Sequence, residues 1–263
     1  MRVLGIRPAG ARDGTLERVV EDLREAAAVR GDVAVVREDD HLEAPQESNT
    51  TVTVGPDGQW RAQGAGAGVQ SVLDRLAPRT DVALVVAESV EVDPTIAIGR
   101  QAEGDLAFEG VDDLDVEAVL EQLEAAEPHE TLESLVERVR RASGEERAGA
   151  IATFTGRVRV RDGPDDAPTE LLEFERYEPV AGERMEGIRD DLEDREGVIS
   201  VALYHRTGVV EAGEDIVHVV VLAGHRREAF RTVEDGIDRL KAEVPLFKRE
   251  VTQSEEFWVH ERQ

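Results

Sequence analysis

Two lysines stand seven residues apart in Leu240-Lys241-Ala242-Glu243-Val244-Pro245-Leu246-Phe247-Lys248-Arg249-Glu250, and every other one of the 31 strong bases in this 263-residue chain is arginine. The distinction matters chemically. A guanidinium keeps its charge in any protein setting, whereas an ammonium in a crowded or dry site can give up its proton and act as nucleophile or base. Two ammonium groups in one small hollow each make the other's proton easier to lose. The pair is therefore a candidate for amine chemistry, set against the plainer reading that an acidic chain is simply poor in lysine. His225 and Arg226 open the helix that ends near Lys241, and a helix start beside a histidine and an arginine suits an oxyanion. Taken singly, His225 could cap the helix and Arg226 could pair with an acid of the chain. Taken together with the lysines, they describe an anion site, and the expectation is that all four share one pocket.

The elements around them follow from periodicity. Phe230, Val233, Ile237 and Leu240 recur at helical spacing from about Arg226 to Val244, and Pro245 stops the helix. Upstream, Ala150 to Val160 reads as a strand, Leu171 to Tyr177 as another, and Ala181 to about Arg195 as a helix. Val198 to Tyr204 and Ile216 to Leu222 read as strands joined through Gly208 and the Ala212-Gly213-Glu214-Asp215 turn. Strands and helices do not alternate strictly here, which predicts an α+β domain with an antiparallel sheet. Leu132, Leu135, Val136 and Val139 give an amphipathic helix before it.

The front of the chain reads differently. Val3 to Ile6, a glycine-bearing turn, and the helical pattern Leu16, Val19, Val20, Leu23 and Ala27 open an α/β domain, with further strands at Val33 to Val36, Val82 to Val86 and Thr95 to Ile98. The turn has the length of a phosphate-binding loop but lacks Gly-Lys-Ser/Thr, and Asp13 stands where the phosphate-binding lysine would be, so no nucleotide site is expected. Between Gly104 and His129 the sequence turns acidic around Val116, Val119, Leu120 and Leu123, which reads as a solvated helix or linker. Pro128 marks the boundary between expected domains 1–127 and 128–263.

Composition narrows the function classes. The formal charge is −27, with 58 acidic residues, which disfavours nucleic acid and anionic lipid as partners and fits a halophilic origin. With no cysteine, disulfides, thiolate metal sites and thiol nucleophiles are excluded, so any sulfur handled here must arrive on another protein. The opening residues lack a signal-peptide core and no apolar run is long enough to span a bilayer, which points to a cytoplasmic chain with no membrane partner.

From about Glu130 onward the sequence resembles the catalytic (large) subunit of molybdopterin synthase. The resemblance is carried in order by Gly149-Ala150 through Phe154-Thr155-Gly156-Arg157-Val158-Arg159, Leu172 to Tyr177, His205-Arg206-Thr207-Gly208, Gly224-His225-Arg226, the lysine stretch, and Trp258-Val259. It implies Lys241 and Lys248 as the catalytic pair of a sulfurtransferase. It also implies Phe154, Arg159, His225 and Arg226 as substrate-binding residues, and Arg262 as one donated across a homodimer. The implied substrate is cyclic pyranopterin monophosphate and the product is the dithiolene of molybdopterin. The sulfur would come from the thiocarboxylated C-terminus of a small ubiquitin-like carrier, in a heterotetramer, with no cofactor and no metal. Two departures from the family are Gly224 in place of serine or alanine and Ile237 in place of methionine. The first hundred residues resemble the molybdopterin-guanine dinucleotide biosynthesis adapter protein B family, through the degenerate loop, Gln59 to Ala67, and Asp81 to Glu88. That implies a degenerate P-loop-like fold without its activity. A non-catalytic pterin-binding adapter and a nucleotide-binding front domain are the alternative readings.

Overall fold

A computed structural model describes residues 1–39, 51–56, 59–63, 68–89, 92–103, 106–161, 163, 167–177, 180–252 and 256–259. The chain divides into two compact units, Met1–Thr131 and Leu132–Gln263.

The first unit is built on a parallel sheet. Its strands are β1 (Arg2–Pro8), β2 (Val33–Arg37), β5 (Val82–Val86), β6 (Thr95–Ile98) and β7 (Ala107–Phe108), in the spatial order β2-β5-β1-β6-β7. A separate hairpin pairs β3 (Thr51–Val54) with β4 (Trp60–Gln63). Every residue of β5 is buried, as a strand covered on both faces requires. Leu84 and Val86 face one core with Val19, Val20 and Leu23 of α1 (Asp13–Ala27), while Ala83 and Val85 face another with Leu73 of α2 (Val69–Leu76). The turn after β1 is tied to the end of β6: Ala9 N–H donates to Ile98 O, and Gln101 N–H donates to Ala9 O. Gly99, at φ 128°, permits this approach, since a side chain there would strike the backbone of Ala9 and Ala11.

Of the two readings of the acidic stretch after Gly104, helix and linker, the structure has the helix. Val116–Ala125 forms α3, with Asp115 capping it by accepting from Ala118 N–H at 3.0 Å. Its Val119 and Leu123 are fully buried in the same core as α1. The acids occupy the outer face, and Arg30 pairs with one of them, Glu124, at 2.6 Å. The charge density describes that outer face, whereas the apolar spacing decides where the helix goes.

The second unit is α+β, as expected, and its antiparallel strands form two sheets. In the first, β12 (Asp215–Ala223) lies between β10 (Val198–His205) and β8 (Ala150–Arg157). In the second, the order is β11 (Gly208–Glu211), β9 (Thr169–Arg176), β13 (Leu246–Thr252), β14 (Glu256–Val259). The segment around Gly208, read as a connection, contributes strand β11 to this second sheet. Helix α4 (Leu132–Arg140) packs Leu135 and Val139 against Ala202, Val220 and Leu222 on one face of the three-stranded sheet. The other face is covered by α5 (Val180–Glu193) and α6 (Arg226–Glu243) through Ile188, Leu192, Ala229, Val233, Ile237 and Leu240. No helix among the described residues is long and apolar enough to cross a membrane.

Candidate active site

Helix α6 decides which candidate residues can meet. It leaves β12 through Gly224 and His225 and runs back along the sheet, with Gly236 seated against Val219, the cross-strand partner of Phe154. The first turn of α6 therefore lies toward Ala223 and the start of β8, and its last turn toward Asp215 and the end of β8. Lys241, in that last turn, is exposed. Arg239 holds the opposite flank of the same turn. It donates to Asp191 of α5 at 2.9 Å and to Glu243 at 2.6 Å, and this bonding holds the Glu243 carboxyl below its ordinary range.

The strands that carry Phe154 and Lys248 adjoin this end, and Arg159 follows the end of β8. Phe154 packs half-buried into the core that also takes Leu240, Val244 and Leu246, so it lies beside the end of α6. Ile237, at the family's methionine position, is buried in that core. Arg159 follows Val158, which is buried with Leu172 and Phe174 of β9. Lys248, half-buried, is the cross-strand partner of Phe174, so the two side chains share one face of the four-stranded sheet. On the reverse face Arg249 Nε donates to Glu173 at 2.7 Å and pins β13 to β9. At this end Lys241 is exposed and Lys248 half-buried. A shallow cavity of about 430 Å3 lies elsewhere, lined in part by Arg140, Gly149, Ile151 and Leu222.

His225 and Arg226 do not join the lysines. Fifteen residues of α6 separate Arg226 from Lys241, which at 1.5 Å per residue is about 22 Å. The expectation of a single pocket within one chain is thus corrected by the length of the helix. His225 occupies the N-cap position with extended backbone, but its imidazole makes no capping bond. Arg262 lies outside the described residues, and of Asp13 only its place as the first residue of α1 is described.

The structure adds a residue that no site expectation included. His205, at the end of β10, is 6% exposed and stands edge-on to Phe174, with ring centroids 4.9 Å apart. Burial pushes its pKa down to about 4, opposed by the bond to the Arg206 carbonyl and aided by the charge of Arg176. Because the folded value lies below the ordinary 6.5, the unfolded chain binds a proton that the folded chain refuses. Stability is fully present above pH 6.5 and is lost as pH falls toward 4. At about 1.4 kcal/mol per unit, the span from 6.5 to about 4 corresponds to about 3 kcal/mol. Urea midpoints measured across this range should fall with pH, and His205→Asn should flatten the fall.

Residues 125–243 match the family model described as MoaE protein, a span that holds Phe154, Arg159, His225, Arg226 and Lys241. The fold and the lysine end thus define the class, a MoaE-type catalytic domain behind a separate α/β unit. A probable molybdopterin synthase of Haloferax volcanii is 47% identical over 268 residues, covering 100% of both chains. The chain belongs to the molybdopterin synthase (MoaE) family, whose work is molybdenum cofactor biosynthesis. The Haloferax source fits the halophilic origin read from composition. Among solved structures, molybdopterin synthase from Staphylococcus aureus aligns at 30% identity and TM-score 0.45, over 51% of this chain and 93% of its own. A MobB protein homolog from Bacillus stearothermophilus aligns at 19% identity and TM-score 0.37, over 48% of this chain and 100% of its own.

Proposed function

We propose that this chain is the sulfur-transferring subunit of the synthase, moving sulfur from the thiocarboxylated C-terminus of a small ubiquitin-like carrier to cyclic pyranopterin monophosphate to form the dithiolene. The observation that supports this reading is the order of elements at the end of α6: Lys241 lies in its last turn, Lys248 on β13 directly after it, and Phe154 in the core that takes Leu240 and Leu246. A cysteine-free chain has no thiol of its own to carry the sulfur, which fits delivery by a second protein. Lys241, exposed at the helix end, acts on the reacting carbon or on the acyl intermediate as nucleophile or acid/base. Lys248 stabilises the developing charge, and Arg159 holds the substrate's anions.

His225 and Arg226 can serve the same site only from a second copy of the chain, since α6 keeps them about 22 Å from their own Lys241. The working unit is therefore a homodimer bearing two carriers, with Arg262 also donated across it, in the cytoplasm. Purified chain mixed with thiocarboxylated carrier and the pterin substrate should release dithiolene product. Tight pterin binding without product would instead identify a non-catalytic adapter.

A further inference from the structure

We propose that the free edge of β8 is the surface on which two copies of this chain pair, strand against antiparallel strand about a two-fold axis at Thr153; this rests on the two-copy site of the sulfur-transfer reading.

The three-stranded sheet has two outer strands, and they are finished differently. On β10, Val201 faces Val221 of β12 and turns its N–H outward, where the Glu193 carboxylate accepts it at 2.7 Å. The same carboxylate accepts from Ser200 at 3.2 Å, and it closes that edge to a further strand. Bonding alternates along an antiparallel ladder, so Val221 turns its own N–H and C=O toward Ala152 of β8. The backbone groups of Ile151, Thr153 and Thr155 therefore point out of the sheet. Nothing among the described residues bonds them. Strand β8 is thus an open edge of eight residues with neither proline nor lysine to obstruct pairing, whereas β11 and β14, the outer strands of the other sheet, have four residues each.

The surroundings of this edge fit a second copy. Residues 148–161 contain no aspartate or glutamate in a chain that has 58, so the strand brings no acid toward another strongly anionic body. Ile151, 37% exposed, faces the α4 side of the sheet beside Leu222. On the other side α6 covers β12 and β8, while α5 covers β10. Arg239 marks the flank of α6 toward α5 by bonding Asp191. Phe230 stands nine residues earlier, about half a turn round the helix, so it faces away from α5 and past the β8 edge, with 67% of its surface open.

Pairing about Thr153 matches that residue with itself and Ile151 with Thr155 of the second copy, so all three outward residues exchange both bonds. It also sets Arg157 opposite Gly149 of the second copy. Gly149 abuts Gly224, so closely that a side-chain carbon on it would lie 2.4 Å from the Gly224 carbonyl oxygen. Gly224 leads directly into His225 and Arg226. The pairing therefore brings the helix start of the second copy to the Phe154 and Arg159 end of β8, the arrangement that the length of α6 forbids within one chain. A strand of carrier protein on this edge would supply neither residue.

The chain has no cysteine, so single substitutions report the geometry directly. The chain alone, in concentrated salt, is treated with a bis-methanethiosulfonate of two-carbon spacer. Thr153→Cys should give a covalent dimer, because β-carbons of paired residues lie about 5 Å apart. Ile151→Cys and Thr155→Cys should each fail alone, since four residues of strand, about 13 Å, separate each from its own counterpart. Mixed together they should cross-link. Thr153→Pro removes an outward N–H that β12 does not use, so the sheet keeps its ladder. By symmetry two bonds are lost, and the dimer dissociation constant should rise about tenfold to a hundredfold. A dimer by light scattering that does not cross-link through Thr153→Cys, or that does so through Ile151→Cys or Thr155→Cys alone, overturns this surface and leaves the two-copy site standing. Undiminished pairing in folded Thr153→Pro does the same, and if that variant does not fold the cross-linking pattern decides. A chain that stays monomeric at every concentration and salt overturns both.

Discussion

Lys241→Arg should lower dithiolene formation by about a thousandfold, within the range lost when a nucleophile or acid/base group is removed, while leaving the fold and carrier binding in place. The argument is one of charge against amine. Lys241 is exposed at the margin of α6, so arginine fits without steric penalty and keeps the positive charge. What it removes is a nitrogen able to lose a proton. Lys248→Arg should cost less, because a role in stabilising charge survives in part with a guanidinium. Single-turnover sulfur transfer from thiocarboxylated carrier measures both, and near-normal transfer by Lys241→Arg would end the amine mechanism.

The second large effect concerns pairs of chains. Lys241→Ala and Arg226→Ala should each be inactive alone, yet mixing them after dissociation should restore about a quarter of wild-type activity. Random pairing makes half of the dimers mixed, and each mixed dimer has one site with an intact Lys241 from one copy and an intact Arg226 from the other. A site built from one chain would give no recovery at all. The basis is the length of α6, which keeps its two ends about 22 Å apart.

What could be read in the letters and what could not have separate physical causes. The apolar spacing of Val233, Ile237 and Leu240 located α6, and Pro245 its end, because both signals are local. Alternation likewise located β8 and β9. That His225 and Arg226 lie far from Lys241 depends on the length of the helix between them, which residue types and adjacency along the chain do not convey. The helical spacing of Val116, Val119, Leu120 and Leu123 marks α3, but nothing local shows that this face packs into the core beneath α1 rather than lying in solvent. The split into two sheets depends on β9 pairing with β13, some seventy residues further on, which no local pattern announces. His205 stands out in no local pattern, since its surroundings are made by Phe174 and Arg176 from the other sheet.

An eighteen-residue helix that keeps its charged beginning away from its amine-bearing end has a consequence for enzymology. On the proposed two-chain site, a solitary molecule is half an apparatus. Output per milligram should therefore climb with protein concentration until pairing is complete. Strong brine, by screening the repulsion between two heavily anionic bodies, should bring that threshold down.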